Sequence, residues 1–290
     1  MAPICTPFTG DGEVHHEAMR RNIAAYCRAG LAGFVVAGST GEAPLLSVEE
    51  RLALFETVRE AAADRILIAG TGAESVRETV KLTAAAADLG YHAALVITPH
   101  YYRGQMLRPE SQVGFYRAVA DSAPLPILIY DFPQMTGIDL PLDVVIELAG
   151  HPNIIGIKES SAELEKIASL TSNLPAGFQV LVGSSVKFHD CLKLGAIGGI
   201  LAIANALPAA TLRVYDSYQS ADIQGSQYAQ AQIVEAAGVA PRYGIQGLKY
   251  AMDLMDLYGG AARSPLLPLD ARQKVEIEAA FAGFAPARLS

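Results

Sequence analysis

Lys158 closes the apolar run Asn153-Ile154-Ile155-Gly156-Ile157 and is followed by Glu159 and Ser160. An ammonium group at the end of a buried strand is costly to keep charged, so burial favours the neutral amine. A neutral amine adds to a carbonyl carbon and forms an imine, so this position predicts Schiff-base chemistry. Position alone also leaves open a surface lysine that snorkels to water. Tyr130 ends the neighbouring apolar run Ile127-Leu128-Ile129. A phenol beside the amine can relay protons during carbinolamine formation and carbon–carbon cleavage, although by itself it reads first as a core tyrosine. Ser39 and Thr40 sit in the turn Gly38-Ser39-Thr40-Gly41-Glu42. Their hydroxyls and backbone N–H groups can hold a carboxylate, as turn nests do, and a plain helix-approach turn is the alternative. Tyr101 and Tyr102 read on their own as packing aromatics.

Other chemistries lack their signatures. His100 has no metal partner at ligand spacing, and His15 and His16 read as solvated. The sequence contains no H-E-x-x-H, carboxylate-rich metal triad, Walker motif or G-x-S-x-G, and no G-x-G-x-x-G follows its first strand.

These residues need elements to hold them. Short apolar or β-branched runs at 2–5, 33–37, 66–69, 94–98, 127–130, 154–158, 179–182 and 199–203 read as strands. Amphipathic stretches follow them, for example at 48–63, 75–89, 162–173 and 208–219. Continuous apolar strands between amphipathic helices imply a parallel sheet covered by helices. Eight such units predict an α/β fold, a (β/α)₈ TIM barrel over residues 1–220. Residues 221–290 read as a C-terminal helical region, with helices at 223–237, 244–258 and 270–281. In such barrels chemistry sits at the C-terminal ends of the strands, and the clusters at 38–42, 98–104, 130–131 and 158–160 all fall there.

Composition narrows the class. The chain has 290 residues, is 51% hydrophobic and carries a formal net charge of −8. The acidic balance argues against nucleic acid or an anionic membrane as partner. Cys5, Cys27 and Cys191 are odd in number and far apart, which predicts buried thiols in a reducing compartment. The N-terminus lacks the basic stretch of a signal peptide, and no apolar run reaches spanning length, so a soluble, cytoplasmic protein is expected.

The assembled motifs identify a resemblance. Thr6-Pro7-Phe8, the 38–42 loop, Ala69-Gly70-Thr71-Gly72, Thr98-Pro99 with its tyrosines, Tyr130 with Pro133 and Thr136-Gly137, and Ile155-Gly156-Ile157-Lys158-Glu159-Ser160 stand in order along the chain. Together they resemble the dihydrodipicolinate synthase / N-acetylneuraminate lyase superfamily over nearly the whole length. The resemblance implies that Lys158 is the Schiff-base lysine and Tyr130 the proton-relay tyrosine. It implies that Ser39 and Thr40 are the hydroxyl pair beside the substrate carboxylate, and that Tyr101 enters the neighbouring subunit's site. Ser160 and Ile200 fall at substrate-side positions, Ile200 through its backbone carbonyl. The implied assembly is a homo-oligomer, a dimer or tetramer.

Two departures bear on substrate. Synthases of this superfamily carry an arginine before the Thr-Gly of the fifth loop, where this chain has Met135. That arginine grips a carboxylate in a bidentate manner, and a thioether cannot. Ser184 replaces a common aspartate in the seventh loop. Gly33-Phe34-Val35-Val36, Tyr101-Tyr102-Arg103-Gly104, Ser160, Arg242-Tyr243-Gly244-Ile245 and Gly247-Leu248-Lys249 resemble instead the 4-hydroxy-2-oxoglutarate aldolase branch. The expected reaction is cleavage of a 4-hydroxy-2-oxo acid, either 4-hydroxy-2-oxoglutarate or a keto-deoxy sugar acid, to pyruvate and an aldehyde. It would need no metal or organic cofactor, because the lysine imine is the electron sink. The alternatives are condensation of pyruvate with aspartate semialdehyde and a barrel that only binds a sugar acid.

Overall fold

The run at 127–130, followed by Asp131, shows why strands form here: consecutive apolar and β-branched side chains, all buried, with no polar alternation before the strand's end. In the computed structural model, which describes residues 1–285, eight such strands follow one another in chain order in one sheet. They are β1 (Ala2–Pro3), β2 (Gly33–Val36), β3 (Ile66–Gly70), β4 (Ala93–Ile97), β5 (Ile127–Asp131), β6 (Ile154–Glu159), β7 (Gln179–Val182) and β8 (Gly198–Gly199). With the intervening helices this is the expected (β/α)₈ barrel, followed by the C-terminal helices Ile223–Ala237, Val239–Leu254 and Ala271–Phe281. No described helix is long and apolar enough to cross a membrane.

Contacts group the chain into two compact units, residues 67–200 and residues 1–66 with 201 onward. In the first, β4, β5, β6 and β7 pair in parallel, with Ile97 opposite Tyr130 and Tyr130 opposite Lys158. Gly156 lets β6 and β7 approach closely, since a methyl group there would meet Gln179 O at 2.4 Å. The helix Val76–Asp88 is capped by Ser75, which accepts from Glu78 N, and it buries Thr79, Leu82, Thr83 and Ala86 on one stripe.

In the second unit β1 pairs with β2, Ala2 opposite Phe34 and Pro3 opposite Val35. Ser47 and Glu50 form a reciprocal capping box that starts the helix Val48–Ala61. Asn205 is buried and ties β1 down: Cys5 N donates to its Oδ1 (3.0 Å), and its Nδ2 donates to Pro3 O (2.9 Å).

Several expectations need correction. The eighth strand, expected over 199–203, is the two-residue β8, after which a 3₁₀ turn runs over Ala202–Asn205. Asn205 then supplies by side chain the hydrogen bonds that a longer strand would have made by backbone. The helix expected from 162 begins at Leu164, because Ala162 has φ 67° and cannot continue a right-handed turn. The helix expected from 244 is preceded by helical residues from Val239, and Gly244 (φ 68°, ψ −162°) breaks the two pieces. His15 and His16 are not freely solvated: His15 Nδ1 accepts from Ala18 N, and His16 Nδ1 lies 2.7 Å from Thr57 Oγ1. Cys5 and Cys191 are buried but Cys27 is only partly so. Burial pushes the Cys5 and Cys191 thiols up to about 12, far from the reactive thiolate range.

Candidate active site

Because Tyr130 pairs with Lys158 and Asp131 with Glu159, strand alternation sends the first two to one face and the second two to the other. Lys158 is 4% exposed. Its Nζ lies 4.1 Å from the centroid of the Tyr130 ring. Among the described residues the buried lysine–carboxylate pairs are those of Lys166 and Lys249, and Lys158 has none. Burial without a counter-ion lowers its pKa from 10.5 to about 7. About half of such an amine is neutral at pH 7. Tyr130 in turn stacks on Phe132, with centroids 5.6 Å apart and planes 25° apart.

Ser160 places a hydroxyl near this amine. Its Oγ is buried and has no hydrogen-bond partner among the described residues. Gly183, just after β7, makes the room: a methyl group there would lie 1.9 Å from Ser160 Oγ and 3.3 Å from Lys158 Cε. A buried hydroxyl without a partner beside a buried amine is a place where an incoming polar group restores a missing hydrogen bond. Ile200 is fully buried, and its N–H donates to Val182 O at 2.9 Å.

The opposite face carries a cluster that the motifs did not reveal. Asp131 and Glu159 are 0% and 1% exposed. Lys166 Nζ lies 2.5 Å from Asp131 Oδ2 and also bonds Asp139. Burial pushes the Asp131 carboxyl up to about 7, against the pull of Lys166, and raises Glu159 as well. Glu159 Oε1 accepts from Ser161 N at 2.6 Å, Ser160 N donates to Asp131 O at 3.0 Å, and Gln134 Nε2 donates to Ser161 O at 2.8 Å. These bonds hold the segment from Lys158 to Ser161 to the end of β5 and the turn after it. A charged residue following each of two adjacent strand-end candidates was the only signal in the sequence.

Tyr101 and Tyr102 are 79% and 72% exposed and meet edge to face at 5.3 Å. Glu74 fixes their loop by accepting from the N–H groups of His100 and Tyr101, each at 3.0 Å. Met135 is also exposed, at 67%. Two residues on, Gly137 O accepts from Arg103 Nε at 3.0 Å, so a guanidinium lies across the Thr136-Gly137 turn. Ser39 and Thr40 form a half-buried 3₁₀ turn after β2, in the unit with residues 1–66. Thr6 Oγ1 donates to Gly41 O at 2.6 Å and pins this turn.

The family model described as the dihydrodipicolinate synthetase family matches residues 1–282. The chain belongs to that family. It is 33% identical over 280 residues to a 4-hydroxy-tetrahydrodipicolinate synthase of Methanothrix thermoacetophila, covering 94% of this chain and 92% of the relative. It is 32% identical over 285 residues to a probable mitochondrial 4-hydroxy-2-oxoglutarate aldolase of Emericella nidulans, covering 96% and 92%. A crystal structure of dihydrodipicolinate synthase from Acinetobacter baumannii in complex with pyruvate superposes with a TM-score of 0.93 at 31% identity, covering 97% and 96%. This family member is an enzyme, a carbon–carbon lyase or aldolase of the lysine Schiff-base type. Its relatives divide between synthase and aldolase.

Proposed function

We propose that the protein is a pyruvate-dependent class I aldolase that cleaves a 4-hydroxy-2-oxo acid, 4-hydroxy-2-oxoglutarate or a keto-deoxy sugar acid, to pyruvate and an aldehyde. The observation that carries this reading is the buried Lys158 amine, with no carboxylate to hold its proton, resting on the ring of Tyr130. Neutral Lys158 adds to the 2-oxo carbon, and loss of water gives the iminium. Tyr130, left as the phenolate after giving its proton to the departing water, takes the proton of the 4-hydroxyl, the C3–C4 bond breaks with the aldehyde leaving, and the electron pair of that bond enters the iminium to give the enamine. Protonation at C3 and addition of water release pyruvate and the free amine. Ser39 and Thr40 hold the 1-carboxylate, Ser160 meets a hydroxyl of the substrate, and the Ile200 carbonyl lines the lysine pocket.

Met135 supports an aldolase over a synthase, because its thioether offers nothing to the carboxylate of aspartate semialdehyde. One observation favours the second reading: Arg103 brings a guanidinium to the same turn. A barrel that only binds a sugar acid has no use for a lysine held near neutrality. The deciding experiment is borohydride trapping with pyruvate, mapping of the labelled peptide, and then turnover with a panel of aldehydes. Label on Lys158 supports the mechanism, and label elsewhere or none rejects it.

The same reading extends to assembly. Tyr101 is exposed on a loop, and a symmetric contact would cover it once on each partner. A Lys158→Ala protein mixed with a Tyr101→Phe protein should regain activity after subunit exchange. Exchange confirmed by mass without recovered activity places Tyr101 outside the partner's site.

A further inference from the structure

We infer that Glu42 and Lys249 are positioning residues: their buried ion pair fixes the Ser39–Thr40 turn in the conformation that receives the substrate carboxylate. This rests on the carboxylate-holding role proposed above for that turn. Besides its own backbone bonds and the Thr6 hydroxyl on Gly41 O, the turn has no side chain packed in the core to anchor it. It runs Gly38-Ser39-Thr40-Gly41, with no apolar side chain, and both hydroxyl residues are half-buried. The next residue, Glu42, roots it. Glu42 has φ 58°, a left-handed conformation that a non-glycine residue keeps only when its surroundings hold it there.

The surroundings do so from the far end of the sequence. Glu42 Oε1 lies 2.6 Å from Lys249 Nζ, with the two side chains 1% and 0% exposed. Glu42 Oε2 accepts from the backbone N–H of Arg263 at 2.8 Å. Lys249 Nζ also donates to Ala261 O at 2.9 Å and stands 4.4 Å from the Phe8 ring centroid. Arg263 approaches the same ring at 4.3 Å and donates to Leu45 O and to Glu50, the residue of the capping box. Gly259 allows this stretch to lie against the Lys249 backbone, since a methyl group there would meet Lys249 O at 1.9 Å.

A buried ion pair is a poor way to gain stability, because apolar residues of similar volume serve as well or better. What such a pair adds is direction. Glu42 Oε2 is fixed by its hydrogen bond from the Arg263 N–H and Oε1 is held within ion-pair distance of the Lys249 ammonium, and these two contacts on opposite oxygens fix the backbone from which the carboxylate grows. The carboxylate is one residue from Gly41, so the setting of the Ser39 and Thr40 hydroxyls follows from it.

The test measures the pyruvate concentration that half-saturates borohydride trapping, normalised to trappable chains, and the same quantity for methyl pyruvate, which keeps the carbonyl but lacks the charge. The neutral, near-isosteric double variant Glu42→Gln/Lys249→Met leaves no buried charge of the pair and is the variant expected to fold. Lys249→Met and Lys249→Arg accompany it. The double variant should raise half-saturation by pyruvate at least about tenfold and move methyl pyruvate less than about twofold. Lys249→Arg should recover part of what Lys249→Met loses. A double variant that keeps the preference for pyruvate over methyl pyruvate overturns the inference, whatever happens to its melting temperature. A double variant that does not fold also overturns it, because the pair is then a structural staple. If pyruvate is not trapped by the unsubstituted protein, the proposed function falls first and this inference with it.

Discussion

Two lysines of this molecule are almost completely withdrawn from water, and their surroundings put them to opposite uses. Lys249 faces the Glu42 carboxylate at 2.6 Å, a carbonyl and the Phe8 ring. Lys158 faces the Tyr130 ring with no carboxylate partner among the described residues. Burial costs both of them hydration. For Lys249 the cost is offset by a counter-charge, which makes the ammonium a fixed strut. For Lys158 it is not offset, and the pKa falls to about 7, toward the neutral amine that the proposed mechanism requires. A buried amine is drawn toward that form by what is absent beside it as much as by depth.

The comparison breaks first at the amine itself. Lys158→Ala should lower turnover on the order of 10³-fold or more, and trapped label should never migrate to Lys249. Removing the phenol while keeping the ring, in Tyr130→Phe, should cost about 10²–10⁴-fold in turnover and also slow pyruvate trapping, with the label that does form still on Lys158, as read by comparing steady-state rates with the rate and position of labelling. Met135→Arg should raise the specificity constant for aspartate semialdehyde roughly 10–100-fold, from a value below that for 4-hydroxy-2-oxo acid cleavage. A native synthase rate exceeding the cleavage rate points to Arg103 as the replacement cation.

The smallest effect is the finest test of the contrast. The Lys158 pKa is depressed to about 7, so the neutral fraction grows as pH rises. Imine formation should climb about tenfold per pH unit below 7 and level off above about 8. An ordinary lysine would keep climbing toward 10.5. Ser160→Asp supplies the missing counter-charge and should move the rising limb to higher pH.

How far the site was legible depended on sequence distance. Lys158 and Tyr130 each end an unbroken apolar run, so strand position and chemistry could be read together. The strand Ile127–Asp131 was legible to within one residue for the same reason. The run at 199–203 looked equally strand-like, but its bonding is decided by Asn205 reaching back to Pro3 and Cys5, about 200 residues away. Lys166 finds Asp131 across 35 positions from a helix face that reads as ordinary amphipathic surface. Glu42 and Lys249 appeared as fragments of two separate motifs, and nothing local to either announces a bond between them. Periodicity records which face is buried, and it carries no information on which buried charge meets which.

The bond between Glu42 and Arg263 spans 221 residues of chain. A ribosome adds roughly 5–20 residues per second, so about ten to forty seconds separate the emergence of the two ends. For that interval the turn bearing Ser39 and Thr40 has neither Lys249 nor Arg263 to close on it. The nascent protein can complete the strands around Lys158 well before its own last helices exist. The turn proposed to hold the substrate carboxylate therefore takes its final setting only after Lys249 and Arg263 have been made, well after the strands around Lys158.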